Sequence, residues 1–341
     1  MSKAKKLPLV RLHELQPSQH ADFFAQLAEK TRGSTRDGKP FYTCKFRDDR
    51  RVVSAVPIWA DNAHFDDCQT QWQPGQFFKV RGIFTEHEKY GAQIEIEQIR
   101  PVEDRDRADG FTELLCVERS RFDPDQMFTE LEAIVTGEVK DPPLRQLSQK
   151  LLHGHANTLK LLPASQRHAY PFAGGWLEHT LAVVRTCLFL ADGYSARFPD
   201  LKPPLNRDLV VAGAVLHDIG RVRDLELGTP GQSARHGVAG ELFGYPQLGY
   251  DLIRTAAQDI PDLNPELLDL LLYVVFTHLR QPEWNSQRNP CIPEVLLVHH
   301  ADELDSKFEV YARCLTRDTS DGPFTARDPS LGRTLLKERK V

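Results

Sequence analysis

The spacing of the apolar residues changes part-way along this chain, and no other feature limits the fold as strongly. Up to about residue 105 they come in short alternating runs, FYTCKF, VVSAVPIW, QFFKVRGIF and AQIEIEQIR, separated by the turn signals DGK, DDR, PG and YG. Alternation sends successive side chains to opposite faces of a strand, so this stretch is predicted to be a small all-β domain. Beyond about Asp123 the recurrence becomes helical, in MFTELEAIV, LRQLSQKLL, WLEHTLAVVRTCLFLA, LVVAGAVLHDI, PELLDLLLYVVFTHL and PEVLLVHHADELDSKF. Pro265 after Asn264, and Pro293 after Ile292, open two of these helices at the position where a missing N–H costs nothing. Several helices are expected to pack together.

The expected class is therefore α+β, a barrel followed by an all-α bundle. Strands of this length within roughly 100 residues suit the five-stranded OB barrel, with Leu15 to Thr31 as its lead-in. Residues 1–105 are assigned to that barrel, 106–125 to a linker that includes part of the charged VEDRDRADG, 126–315 to the helical domain, and 316–341 to a basic tail with a short helix signal in LGRTLLKERK. Hydrophobic residues make up 40% of the 341 and charged residues 27%, which excludes a disordered or collagen-like chain. No apolar run approaches the roughly 20 residues a bilayer span needs, and MSKAKKLPLV has no apolar leader, so a cytoplasmic protein is expected. The six cysteines form no CxxC pair; they suggest neither a disulfide framework nor a zinc ribbon, and are expected to be reduced and partly buried.

Within the helical half, VVAGAVLHDI ends an apolar run on an adjacent His and Asp. Leu209, Ala212, Leu216 and Ile219 form one stripe, so His217 and Asp218 are expected on a helix with a buried face. A lone pair of this kind is usually a satisfied helix end. Here three more polar residues interrupt apolar helices: His179 in WLEHTLAVV, His278 at the end of LLYVVFTHL, and Asp302 on a helix whose Val295, Val298, Leu304 and Phe308 are apolar. An unpaired carboxylate inside a bundle costs several kcal/mol, about the penalty that a divalent cation shared with imidazoles removes. Imidazole nitrogen with carboxylate oxygen suits manganese, cobalt, iron, nickel or zinc better than calcium.

His179, the pair His217 and Asp218, and Asp302 reproduce, in order, the H…HD…D signature of the HD-domain phosphohydrolases. GGWLEHTL, LHDIGRVRDLE, FTHLRQ and FTARDPSLGR, with DGKPFYTCKFRD and VSAVPIWAD in the β half, resemble more closely the YhaM-type 3′→5′ exoribonucleases, which join an OB-fold to an HD domain. The resemblance implies a metal-dependent phosphodiesterase acting on single-stranded RNA, with single-stranded DNA as a second candidate and a homo-oligomer left open. It further implies that His179, His217, Asp218 and Asp302 hold the cation, which polarises the scissile phosphate and activates a water, while Arg221 and His278 steady the developing phosphate charge. Manganese is the expected metal.

The chain also departs from that family. Tyr245 stands where the family has a histidine able to hold a second metal, and His278 lacks the neighbouring histidine, so one firm metal is expected. His236 is a substitute candidate from a loop, His168 lies in a stretch resembling the family's HHAY segment, and His299 precedes Asp302 by three residues. In the β half, Lys30 to Trp59 carries eight Lys or Arg against three Asp, although the whole chain has a net charge of −5. Lys39, Phe41, Lys45 and Trp59 are the candidates for holding a nucleic-acid strand by charge and stacking, against the ordinary alternative that the rings fill the core. Two rival readings stand beside this one: an HD hydrolase of small nucleotides, and a non-enzymatic RNA-binding protein with a decayed site.

Overall fold

The computed structural model describes residues 7–35, 37–87, 91–228, 234–279, 290–318, 320–328 and 330–337. Arg36 and Arg280, part of the FTHLRQ and FTARDPSLGR segments, and the basic end of the tail lie outside the described residues. Two compact units result, one running through Arg119 and the other starting at Ser120.

The first unit contains the strands β1 (His20–Ser34), β2 (Pro40–Arg47), β3 (Val52–Trp59), β4 (Phe77–His87) and β5 (Gly91–Pro101), with α1 (Phe65–Thr70) between β3 and β4. All pair antiparallel in the order β3-β2-β1-β4-β5, and β3 meets β5 to close the sheet. This is the topology of an OB barrel. The alternating residues explain it: along β2, Tyr42, Cys44 and Phe46 turn inward, where they join Phe23, Leu27, Val56, Trp72 and Phe78. The expected lead-in is instead the central strand, because Phe23 to Leu27 are all buried. Both faces are covered there, since the segment read as a linker packs against β1: Phe111 and Cys116 cluster with Phe24. Asp106 anchors that segment through two hydrogen bonds of 2.7 Å from the Arg100 guanidinium.

The second unit is built of α2 (Pro124–Glu138), α3 (Pro142–Leu159), α4 (Gly175–Arg197), α5 (Arg207–Leu216), α6 (Arg221–Asp224), α7 (Val238–Ala257), α8 (Pro265–Thr277) and α9 (Pro293–Arg317), with a two-stranded ribbon of β6 (Leu225–Glu226) and β7 (Arg235–His236). Side-chain oxygens of Asp123, Asp141, Asn206 and Asn264 accept from the first free N–H groups of α2, α3, α5 and α8; each such cap stabilises its helix by about 1 kcal/mol. Helix α4 packs on α5 and α9, and α8 on α5 and α7, around one apolar core.

Two sequence expectations change here, and two apolar residues of α9 prove to be exposed. The helix through Val215 to Gly220 stops at Leu216, and His217 to Gly220 form a tight turn before α6. A Cβ on Gly220 would stand 1.9 Å from the Tyr245 carbonyl oxygen, so the chain passes there only as glycine. Leu304 and Phe308, named with Val295 and Val298 as apolar positions of the helix that carries Asp302, are 62% and 69% exposed, whereas Val295 and Val298 are buried. In the tail, residues 330–337 make no helix but fold back through bridges from Phe324 to Leu336 and from Asp328 to Arg333.

Candidate metal centre

Four elements deliver polar side chains to one buried point. His179 comes from α4, His217 and Asp218 from the turn after α5, His278 from the end of α8, and Asp302 from α9. The three imidazoles are at most 1% exposed and Asp218 is 4% exposed. Each ring has its Nδ1 hydrogen committed elsewhere. His217 Nδ1 donates to the Ala214 carbonyl at 2.7 Å, His278 Nδ1 to the Val275 carbonyl at 2.7 Å, and His179 Nδ1 to Asp305 Oδ2 at 2.7 Å. A carbonyl or carboxylate oxygen can only accept, so the three Nε2 atoms are left to face inward.

There His179 Nε2 lies 3.2 Å from His217 Nε2 and 3.2 Å from Asp302 Oδ1, a compact set of three ligand atoms. Something positive must separate them. In the metal-free chain a proton on His179 serves: burial lowers its pKa, but the hydrogen bonds to Asp302 and Asp305 outweigh burial and raise it from 6.5 to about 10. For Asp302, burial opposes ionisation, yet His179 keeps its carboxyl well below the ordinary range. Asp218 stands at the edge of this set. Its Oδ1 is 3.9 Å from His278 Nε2, and neither buried atom has a hydrogen-bond partner. Burial, reinforced by repulsion from His217, pushes His278 down to about 4, so its Nε2 offers a lone pair at neutral pH. Orphaned acceptors, two imidazole nitrogens 3.2 Å apart and a carboxylate oxygen 3.2 Å from that of His179 fit a divalent cation of the manganese-to-zinc class.

A guanidinium borders the centre. Arg221 Nη1 donates to Asp224 Oδ2 at 2.8 Å, and the Arg221 Cζ stands 3.5 Å from the centroid of the Tyr245 ring. Its Nε, 3.6 Å from Asp218 Oδ2, is buried without a hydrogen-bond partner. Tyr245 therefore does face the site, with its ring 6.0 Å from that of His278. A non-helical Gly244 at φ 69° lets the chain turn there, between the two halves of α7.

The remaining candidates lie elsewhere. His236 Nδ1 is held at 2.7 Å by Asp224 Oδ1, on the far side of the carboxylate that holds Arg221. His299 Nδ1 donates to the backbone carbonyl of His278 at 2.6 Å, which supports His278 from behind. His168 is exposed, and its backbone carbonyl accepts from Arg313. Two residues that sequence reasoning missed complete the shell: Tyr170, whose hydroxyl donates to Asp305 Oδ1 at 3.1 Å, and Asp305 itself. Asp305 was findable, because it follows Asp302 by three residues and so shares its helix face. Tyr170 was not, since its backbone adopts a left-handed φ of 47° that spacing does not announce.

On the β unit, Phe41 pairs across the sheet with Gly33 and Trp59, and the Phe41 and Trp59 rings lie 4.9 Å apart on the face opposite the core. Trp59 is 45% exposed, while Tyr42 is in the core. Lys45 shares the outer face of β2, 3.8 Å from Glu29, and Lys39 is exposed on the β1–β2 turn. Part of the basic excess is structural: Lys30 donates to the Cys68 and Trp72 carbonyls and Arg51 to those of Leu12 and Leu15.

Residues 176–307 match the family model described as HD domain, which covers all four proposed metal ligands. The helical unit thus contains an HD domain. Over 320 residues the chain is 27% identical to the 3′-5′ exoribonuclease YhaM of Bacillus subtilis, spanning 93% of this chain and 94% of that protein. The YhaM protein of Bacillus licheniformis matches at the same identity and coverage.

Proposed function

We propose that the protein is a metal-dependent 3′→5′ exoribonuclease that hydrolyses phosphodiester bonds of single-stranded RNA, with single-stranded DNA as the first alternative substrate. The observation that carries this reading is the convergence of His179 Nε2, His217 Nε2 and Asp302 Oδ1, beside the orphaned Asp218 Oδ1, at a buried point of an HD domain. Similarity to YhaM along 93% of the chain supplies the substrate class. The domain roles follow, with residues 1–119 binding the strand and the helical unit doing the chemistry.

A divalent cation, manganese first and cobalt, iron, nickel or zinc after it, would be held by His179, His217, Asp218 and Asp302 and would supply Lewis acidity toward the phosphate and the attacking water. The chain's own groups do the rest. Arg221, fixed by Asp224 and by its stack on Tyr245, presents an unsatisfied Nε to a phosphate oxygen without first having to be ordered. His278, neutral and with its Nε2 lone pair inward, can accept a hydrogen bond from the water or join the ligands. Phe41 and Trp59 offer a stacking face, and Lys39 and Lys45 supply charge beside it. We place this enzyme in the cytoplasm; no helix among the described residues is long and apolar enough to cross a membrane.

The test is incubation of the protein and manganese with 5′-labelled single-stranded RNA, alongside free nucleotides. A ladder shortening from the 3′ end is expected. Release from free nucleotides alone would establish the small-nucleotide hydrolase instead. In the same assay Asp218→Asn should lose about 100-fold in activity and lose bound metal in parallel, with unchanged helical circular dichroism. Full activity in that variant would remove the metal mechanism.

A further inference from the structure

A second set of metal-ligating side chains lies on the outer side of α9. His299, His300 and Glu303 bring three ligand atoms within 4.8 Å of one another, from positions i, i+1 and i+4 of one helix. His299 is nearly buried, whereas His300 and Glu303 side chains are 57% and 43% exposed.

The hydrogen bonds around the set fix what each atom can offer. His299 Nδ1 gives its hydrogen to the His278 carbonyl at 2.6 Å, so in the neutral ring Nε2 carries a lone pair. A histidine that donates one ring N–H to a backbone carbonyl is oriented as metal-binding histidines are. That Nε2 faces Glu303 Oε2 at 3.8 Å, and His300 Nδ1 faces the same oxygen at 4.0 Å. Both separations are too long for a hydrogen bond. They are short enough for a metal ion to bridge, since two ligand bonds of roughly 2.0–2.2 Å reach about 4.2 Å. The other carboxylate oxygen, Oε1, accepts from Lys307 Nζ at 2.7 Å, which holds the Glu303 side chain in place and leaves Oε2 toward the imidazoles.

We propose that His299, His300 and Glu303 form a surface site for a transition-metal ion of the zinc class, separate from the buried centre. Two imidazoles and one carboxylate suit zinc, nickel or cobalt better than magnesium or calcium. Three protein ligands leave a coordination position open on the solvent side, next to a groove of about 550 Å³ lined by Leu304, Lys307 and Phe308. Because His299 also holds the His278 carbonyl, an ion here would brace the histidine that ends α8 against the buried centre.

The experiment is equilibrium dialysis of the chelator-stripped full chain against zinc, with bound metal counted by mass spectrometry, for the unmodified protein and for the His300→Ala, Glu303→Gln double variant. The variant is expected to bind one equivalent less, whatever the occupancy of the buried centre. Equal stoichiometry in the two proteins would overturn the proposal. Both changed side chains are exposed, and circular dichroism in chelator verifies that the helix persists. Should the double variant fold poorly, Glu303→Gln alone, read by loss of the cobalt absorption spectrum at one of the sites, decides the same question: an unchanged spectrum overturns the site. The exonuclease assay does not enter this test, so its outcome is independent of the function proposed above.

Discussion

Tyr170 is held in a left-handed conformation at φ 47°, which costs a non-glycine residue about 1–2 kcal/mol. Its backbone N–H reaches Glu309 and its hydroxyl reaches Asp305, which in turn fixes the His179 ring. Tyr170→Phe removes only the hydroxyl, so it should lower metal affinity by about 10-fold while leaving the thermal midpoint of the stripped protein within a few degrees. Isothermal titration with manganese checks this, and an unchanged affinity would show that Asp305 orients His179 unaided. The titration of His179 sets the pH dependence. With its pKa raised from 6.5 to about 10, His179 in the metal-free chain is protonated at pH 7, and a cation must displace that proton. Apparent metal affinity should therefore climb by roughly tenfold per pH unit from pH 7 and flatten near pH 10. The same shift stabilises the stripped fold fully below pH 6.5, and that contribution is lost as the pH rises through about 10. A pH-independent affinity between 7 and 9 would contradict the assignment of that proton.

The turn between α5 and α6 is where backbone packing and chemistry meet. It carries His217 and Asp218, is tied from α4 by the Trp176 indole N–H donating to the Asp218 carbonyl at 2.9 Å, and crosses α7 at Gly220. Gly220→Ala would put a methyl group 1.9 Å from the Tyr245 carbonyl oxygen. The two segments must then part, with a loss of about 1–3 kcal/mol and the displacement of Arg221 from Tyr245. Urea unfolding measures the first effect and turnover of RNA the second; a variant as stable and as active as the parent would mean that the turn yields freely. The sequence pointed to a continuous helix here because apolar periodicity runs through Ile219. Periodicity reports which side chains are buried, and a tight turn inside the core buries them equally well.

Each of the two units has its own apolar core, one around Phe23, Phe46 and Phe78 and the other around Leu131, Trp176 and Val215. Independent cores permit a division of labour in which one unit binds and the other reacts. A chain starting at Ser120 should accordingly lose at least roughly 10-fold in activity on a long RNA, the worth of about one stacked base, and much less on a dinucleotide. Equal losses on both substrates would sink that division. The boundary belongs at 119 and not at 105 because Asp106 and Phe111 tie the intervening residues to the barrel.

Strand and helix periods, the proline starts of α8 and α9, and the residue types and order of His179, His217, Asp218 and Asp302 are local properties of the chain, and they were legible as written. Alternation along β2 puts Phe41 and Tyr42 on opposite faces, but it leaves open which face meets the core, and it is Tyr42 that turns inward. What could not be read was anything that depends on which surfaces meet. Lys30 and Arg51 counted toward a basic face, yet their charges are taken up by backbone carbonyls that folding brings to them. Leu304 and Phe308 are as apolar as Val295 and Val298 yet face outward, because the bundle covers the side of α9 that carries Val295, Val298 and Asp302, and helical spacing puts Leu304 and Phe308 on the other side. The hydrogen-bonded chain that orients His179, from the Tyr170 hydroxyl through Asp305, joins residues 135 positions apart. Hydrogen bonds over such separations exist only once the helices have packed, since it is the packing that fixes their distances.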